Sequence, residues 1–171
     1  MLEAEIDIAF AAFSDAAEIS RMSRDEIEYG LQWSYTAEKL SRLMRDSTKN
    51  VVVARLDNMV IGFGIMTYHL DQANLDLLAV KPPFRRRKIA SRLMAWLEKV
   101  AATAGCFDIF VQVREMNAGA IAFYEKLGFQ PLGKMTGYYQ AVENAVIMAK
   151  SLRTMYRGYT EVHKNSTIIK P

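Results

Sequence analysis

The sequence predicts a mixed α/β fold, a β-sheet with helices on both faces, and three observations carry that expectation. β-rich runs alternate with amphipathic helical patterns. Two of the runs flank an Asp57-Asn58 turn, and one run passes through a short proline-bearing loop directly into a helix. The chain has 171 residues, 51% of them hydrophobic, enough for one ordinary domain with a core. No repeat, low-complexity tract or Pro/Gly-rich linker divides it, so one domain is expected over 1–153, followed by a tail over 154–171 with no clear period.

The elements follow in order. "LEAEIDIAF" alternates as a strand does, and Ser14 and Asp15 offer N-caps for a helix through "AAEISRMSRDEIEYG" that Gly30 would stop. Thr36 caps a second helix with Leu40, Leu43 and Met44 on one side. "VVVARLDNMVIGFGIMTYHL" reads as a hairpin, and "NLDLLAV" as a strand stopped by Pro82 and Pro83. From Arg87 to about Gly105, Ile89, Leu93, Leu97 and Val100 form one apolar helical face. "FDIFVQVR" is the next strand, "AGAIAFYEKLG" the next helix, "GYY" an aromatic turn region, and "AVIMAKSL" the last strand.

Composition excludes some functions. With 22 basic and 19 acidic residues the formal charge is +3, too balanced for a surface that serves throughout as a polyanion platform. The single cysteine, Cys106, excludes an internal disulfide and fits a reducing compartment, and it reads as a small buried apolar residue. No segment approaches ~18 consecutive apolar residues, and "MLEAEIDIAF" carries acids where a secretory signal carries bases. A cytoplasmic protein with no membrane partner is expected. His69 and His163 belong to no motif, and no His/Asp/Glu spacing suggests a metal.

Two stretches carry chemistry. "FRRRKIASRLM", Phe84 to Met94, crowds positive charge at a helix start that already carries unpaired N–H groups and about half a positive charge. A strand, a tight loop and a helix aim several backbone N–H groups at one point, an anion site, and a cofactor phosphate would stabilise the crowded cations. A DNA-reading helix would instead spread polar side chains along one face. The plain alternative is a solvated basic helix start. In "MNAGAIAFYEKLGF", Asn117 and Tyr124 lie about two turns apart and project from similar sides. Structurally, Asn117 is an N-cap, Gly128 a left-handed C′ glycine, and Tyr124 a core residue beside Ala120 and Leu127.

Taken in order, "LLAVKPPFRRRKIASRLM" and "VQVREMNAGAIAFYEKLGF" resemble the GNAT superfamily of acetyl-CoA-dependent N-acetyltransferases, over about residues 51–152. The resemblance implies the GNAT fold, a twisted mixed sheet of about six to seven strands flanked by about four helices. It implies that the backbone of Leu78, Ala79 and Val80 pairs with the pantetheine arm of acetyl-CoA. The loop Arg85, Arg86, Arg87, Lys88, Ile89 and Ala90, with Ser91, would bind the pyrophosphate. Asn117 would contact the cofactor, and Tyr124 would protonate the departing thiolate. "GFQPLGKMTGYYQAVENAVIMAKSL" resembles the ribosomal-protein alanine N-acetyltransferases and related Nα-acetyltransferases, in which a tyrosine pair, here Tyr138 and Tyr139, helps hold a peptide N-terminus.

The sequence departs from the family at three positions. Lys88 replaces the central glycine of the phosphate loop, and a lysine can serve there if the position is near helical geometry. Gln112 and Asn74 stand where relatives carry a general base, and an amide accepts no proton at neutral pH. That favours an acceptor of low pKa. An α-amine at about 7.7–8.0 is partly neutral near pH 7.5, whereas a lysine at about 10.4 is neutral about one time in a thousand. Asp76, two residues from Asn74 on the same strand, is a candidate base, and Glu28 is another. Glu28, Tyr29, Trp33 and Gln112 are candidate acceptor contacts.

The expected reaction is acetyl transfer to a primary amine, of a protein N-terminus or a small molecule, by direct attack through a tetrahedral intermediate held by a strand N–H near Val80. Cys106 lies away from that point, which argues against an acyl-cysteine. The alternatives are a catalytically weak acyl-CoA-binding sensor and, less favoured, a nucleic-acid-binding protein. The tail and last strand are candidates for a homodimer contact.

Overall fold

Val, Ile and Phe dominate the runs that become strands, because β-branched and aromatic side chains pack well on a pleated surface. Seven strands form one sheet in the order β1-β2-β3-β4-β5-β7-β6 in the computed structural model, which describes residues 5–155. They are β1 (Ile6–Phe10), β2 (Lys49–Leu56), β3 (Met59–His69), β4 (Gln72–Val80), β5 (Asp108–Arg114), β6 (Gln130–Tyr139) and β7 (Glu143–Ser151). All neighbours pair antiparallel except β4 and β5, which are parallel. The crossover between those two is α3 (Ile89–Thr103).

Helices cover both faces. α3 and α4 (Ala118–Lys126) pack on one, where Leu93, Leu97, Ala101 and Tyr124 meet Val52, Leu75 and Val111. α1 (Ala16–Glu26) and α2 (Ala37–Leu43) pack on the other, where Ile19, Met22 and Leu40 meet Val53, Phe63 and Ile65. Because both faces are dry, β2 and β3 read as continuous apolar runs instead of alternating ones. Gly62 and Gly64 let α3 close on the sheet: an added Cβ would lie 3.2 Å from Leu93 Cδ1 and 3.0 Å from Leu97 Cδ1 respectively. The Glu98–Lys150 ion pair, 2.7 Å long and largely buried, ties α3 to β7.

Several boundaries differ from the sequence expectation. α1 stops at Glu26 and not at Gly30, because both Ile27 and Glu28 donate their N–H groups to Ser23 O, which closes the helix there. Ser14 and Asp15 lie in a 3-10 turn ahead of α1. The Asp15 carboxylate accepts from the Ala12 N–H at 2.7 Å and pairs with Arg55, so it caps the turn and ties it to β2. Thr36 caps α2 as expected, accepting from Lys39 N–H at 3.2 Å. Asp57, with φ 53°, makes the tight β2–β3 hairpin. "GYY" is part of strand β6 and not a turn; the turn follows directly after it, on the left-handed Gln140 and Ala141. Among the described residues no helix is long and apolar enough to cross a membrane. From 156 onward the tail lies outside the described residues, and with it His163 and the tail's share of the expected dimer contact.

The feature that shapes the rest is a bulge in β4. β3 and β4 pair Ile65 with Leu77 but Met66 with Leu75, so Asp76 has no partner on β3. Side-chain parity flips there: Ala73 and Leu75 enter the α3/α4 core, Leu77 and Ala79 the α1/α2 core. Pairing with β5 also ends at that point, since the last matched pair is Leu75 with Val111. Bulges bend and twist a strand. Here the bend coincides with the parting of β4 from β5.

Leu97, fully buried against the sheet, is the packing test. Leu97→Ala is expected to cost about 3 kcal/mol in urea unfolding, with an unchanged m-value.

Candidate active site

The parted strands leave a cleft of about 130 Å³ between Leu75–Leu78 of β4 and Val111–Arg114 of β5, closed by Asn117, Ala120 and Tyr124 of the α4 segment. The antiparallel ladder decides which β4 groups face it. Lys81 N–H donates to Ile61 O, so by alternation Ala79 bonds to Phe63, whereas Leu78 and Val80 turn their backbone groups away from β3 toward the cleft. Of the three residues expected to offer backbone to a ligand, Ala79 therefore does not. The Val80 carbonyl is already occupied by Arg85 Nε at 2.9 Å, which leaves its N–H.

Beyond the end of β4, past a 3-10 turn at Pro82–Phe84, stands the N-terminus of α3. Its first turn, Ile89, Ala90 and Ser91, has no side-chain cap and no acidic residue. The loop before it holds two left-handed non-glycine residues, Arg86 at φ 64° and Lys88 at φ 60°. Lys88 therefore keeps the backbone shape of the glycine it replaces and does not meet the near-helical condition under which a lysine serves there without strain, at a cost of roughly 1–2 kcal/mol. Arg86, Arg87 and Lys88 are exposed, whereas Arg85 is paired with Glu26 of α1. Three free N–H groups and a ring of cations fit a pyrophosphate, and the free β4 edge fits an extended amide-bearing arm. These residues could thus hold acetyl-CoA.

Tyr124 is 7% exposed and lies edge-on to Phe123 and Phe129, yet its hydroxyl has no hydrogen-bond partner among the described residues. Burial, with Tyr139 nearby, pushes its phenol above the ordinary value, so it stays protonated and able to donate. Asn117 caps α4, its Oδ1 accepting from Ala120 N–H at 3.0 Å.

A second cavity, of about 220 Å³, lies across Asp76 and Gln112 from the first, and both share Ile27, Leu77 and Tyr139 as walls. Tyr138, Tyr35 and Leu31 give it apolar sides. Asp76 lies at its base, its Oδ1 accepting from Asn74 Nδ2 at 2.8 Å. Tyr139 donates to Gln112 O at 2.8 Å, and the two tyrosine rings meet edge to face. Burial raises the phenols of Tyr35, to about 12, and of Tyr139, so both remain neutral. The roof is tied across: Gln140 Oε1 accepts from Gln32 N–H at 2.8 Å, and Gln140 Nε2 donates to Gln32 O at 2.9 Å.

Glu28 also lines this cavity, but its oxygens are taken by Ser23 Oγ, Ser34 N–H, Ser34 Oγ and Tyr35 N–H at 2.6 to 3.3 Å. It orders the segment between α1 and α2, which leaves Asp76 the better placed of the two candidate bases. Tyr29 stacks on the Arg114 guanidinium at 4.3 Å, at the edge of the cofactor-side cleft. Trp33 lines neither cavity; it lies half-exposed under Arg24.

Sequence reasoning missed Arg114 and Gln140. Arg114 is 7% exposed, donates to Tyr29 O at 2.8 Å and to Glu143 at 3.3 Å, and has a buried Nε with no partner. An arginine closing an apolar strand just before a helix cap was the available signal. Gln140 had none, since its partner is 108 residues away.

A seven-strand sheet parted beside an uncapped basic helix start is the architecture of the acetyltransferase (GNAT) family. The chain belongs to that family, whose model matches residues 11–129. A ribosomal protein bS18-alanine N-acetyltransferase of Salmonella typhimurium is 38% identical over 96 residues, 54% of this chain and 65% of that relative. Its Escherichia coli K12 counterpart is 36% identical over 90 residues, 51% and 61%. The chain thus matches less than two thirds of either relative's length. An N-alpha-acetyltransferase of Saccharolobus solfataricus is 32% identical over 113 residues, 58% of this chain and 68% of that one. Among solved structures, Ard1 from Thermoplasma volcanium superposes with a TM-score of 0.76 at 25% identity, covering 85% of this chain and 97% of that one. The PaiA N-acetyltransferase of Thermoplasma acidophilum, solved with coenzyme A, has the same fold at a TM-score of 0.73 and 24% identity, covering 86% and 99%.

Lys88→Gly removes the left-handed strain and is expected to stabilise the protein by about 1 kcal/mol, less the added freedom of the unfolded chain, read as a raised thermal midpoint.

Proposed function

We propose that the protein is an acetyl-CoA-dependent N-acetyltransferase of the cytoplasm whose acceptor is a protein N-terminal α-amine, of the alanine-bearing ribosomal-protein type that its relatives' names specify. One observation carries the reading: the cleft and the acceptor cavity meet at the point where β4 parts from β5, with an unpartnered phenol on one side and a carboxylate on the other. The family's thioester co-substrate brings an already activated acetyl group, so placement supplies much of the rate.

The chain's own residues then divide the work. The α3 N-terminus with Arg86, Arg87 and Lys88 holds the pyrophosphate, while the Leu78 and Val80 backbone holds the arm and offers an N–H to the developing oxyanion. Asp76 accepts the acceptor's proton, directly or through one water, and Tyr124 delivers its proton to the departing sulfur. The tyrosine-walled cavity beneath the Gln140 tie receives an extended N-terminus. Such a narrow, neutral-walled site with one carboxylate suits an amine that is partly neutral at physiological pH.

Three outcomes are expected. Acetyl-CoA and CoA, but not ATP, raise the thermal midpoint, by the equivalent of about 2.7 kcal/mol at ~100 times Kd; no shift at saturating acetyl-CoA removes the proposal. Tyr124→Phe lowers kcat about 100-fold with little change in acetyl-CoA affinity. In the wild type, the elevated Tyr124 phenol means that kcat shows no fall from loss of its proton at pH values below about 10, so a basic limb near pH 8 that vanished in Tyr124→Phe would contradict its assigned role.

A further inference from the structure

We propose that Thr67 and Lys49 are positioning residues for Asp76, the far end of a hydrogen-bond chain that runs across the sheet and terminates at that carboxylate. This rests on Asp76 being the proton acceptor. Neither residue belongs to a motif legible in the sequence, and neither lines the cavity.

The ladder puts them in one row. Lys49 of β2 is the Cα partner of Thr67 of β3, and Thr67 is the partner of Asn74 of β4. Lys49 Nζ donates to Thr67 Oγ1 at 2.6 Å, and Thr67 Oγ1 donates to Asp76 Oδ2 at 2.5 Å. The ammonium itself stands 4.0 Å from Asp76 Oδ2. From the opposite side Gln112 Nε2 donates to Asn74 Oδ1 at 3.0 Å, and Asn74 Nδ2 donates to Asp76 Oδ1 at 2.8 Å.

The chemistry of the groups fixes these directions. An ammonium has only protons to give, so Thr67 must accept from Lys49 and spend its single proton on Asp76. An ionised carboxylate has none to give, so Asn74 must turn its NH2 toward Asp76 and its oxygen toward Gln112. Both arms therefore point every donor at one acceptor. Asp76 offers about four lone-pair sites; one on each oxygen is filled, and the other on each is left for an incoming ammonium. The bulge explains how one carboxylate reaches both arms: without a partner on β3, Asp76 leans back over Thr67 and Asn74.

Among the described residues, no cation other than Lys49 comes within ion-pair distance of Asp76. Tyr35 and Glu28 face the same space from the segment between α1 and α2, and Tyr138 from β6; Glu28 is consumed by Ser23, Ser34 and Tyr35. Lys49 stands at the head of one arm, and Thr67 bridges it to Asp76. Thr67 is 5% exposed, so its hydroxyl meets protein and not solvent. A valine of similar shape would satisfy a strand there without any hydroxyl.

The test is a double-mutant cycle read through acceptor kcat and KM, with thermal midpoints and acetyl-CoA Kd measured for each variant. Thr67→Val and Lys49→Met are each expected to lower kcat/KM about tenfold, through kcat more than through acceptor KM, because the carboxylate is no longer held in place against the acceptor. Acetyl-CoA Kd should not change, and Thr67→Ser should restore the rate. In the Asp76→Asn background neither substitution should lower the rate further, since both act through that carboxylate. Losses that simply add in that background, or a Thr67→Val enzyme with the wild-type rate, would overturn the inference while leaving Asp76 in place. A fully active Asp76→Asn enzyme would instead remove Asp76 as the proton acceptor, and this inference with it.

Discussion

One extra residue in β4 organises the molecule. With Asp76 unopposed, the strand bends, its side-chain parity inverts, and its pairing with β5 ends. A parallel pair that continued to Val80 would have spent the Leu78 and Val80 backbone groups on β5 and left no cleft. The same irregularity turns Asp76 away from the regular alternation and toward Asn74 and Thr67. The two cavities that share Asp76 and Gln112 are thus consequences of a single interruption in a ladder.

What stands at the two ends of that interruption is polar in different ways. At the α3 start the polarity is unsatisfied: three amide N–H groups without a cap, several exposed cations, and a loop bent into left-handed conformations at Arg86 and Lys88. Strain and like-charge crowding in one loop are costs that an anion would offset. Around Asp76 the polarity is almost fully satisfied, with each donor aimed at the carboxylate. The proposed function, binding a large anion and then moving one proton, would use both arrangements, and the sheet separates them by a few residues of one strand.

The segment between α1 and α2 shows how irregular chain is made firm. Glu28 fixes it from within through four donors, Arg114 holds it from below through Tyr29 O, and Gln140 ties it to the β6–β7 turn. Arg114 also stacks against Tyr29 at 4.3 Å and Tyr139 at 5.7 Å. A cation–π contact in a desolvated place contributes about 2 kcal/mol, which suits an arginine whose neighbours are two rings. Glu28 is therefore the carboxylate spent on the shape of the cavity, whereas Asp76 is the one free to meet an occupant under the proposed function.

The class of fold, the order of nearly all its elements, the crowding of cations at the start of α3, and the placing of Asn117 and Tyr124 along one side of a helix were legible in the sequence. Those features rest on local physics: apolar period, caps, turn chemistry and charge at a helix start act over a few residues and are written in them. Even so, local reading extended α1 to Gly30 and placed "GYY" in a turn, because neighbouring structure overrode propensity at both. Only the tertiary structure decided that Asp76 sits on a bulge, that Ala79 faces β3 and not the cleft, that Glu28 is internally consumed and that Trp33 stays outside. It alone brought Arg114 to Tyr29 and Gln140 to Gln32. Each of these depends on strand register or on partners far away in the chain, and a register shift of one residue leaves no mark on local composition while it reverses the face of every side chain beyond it.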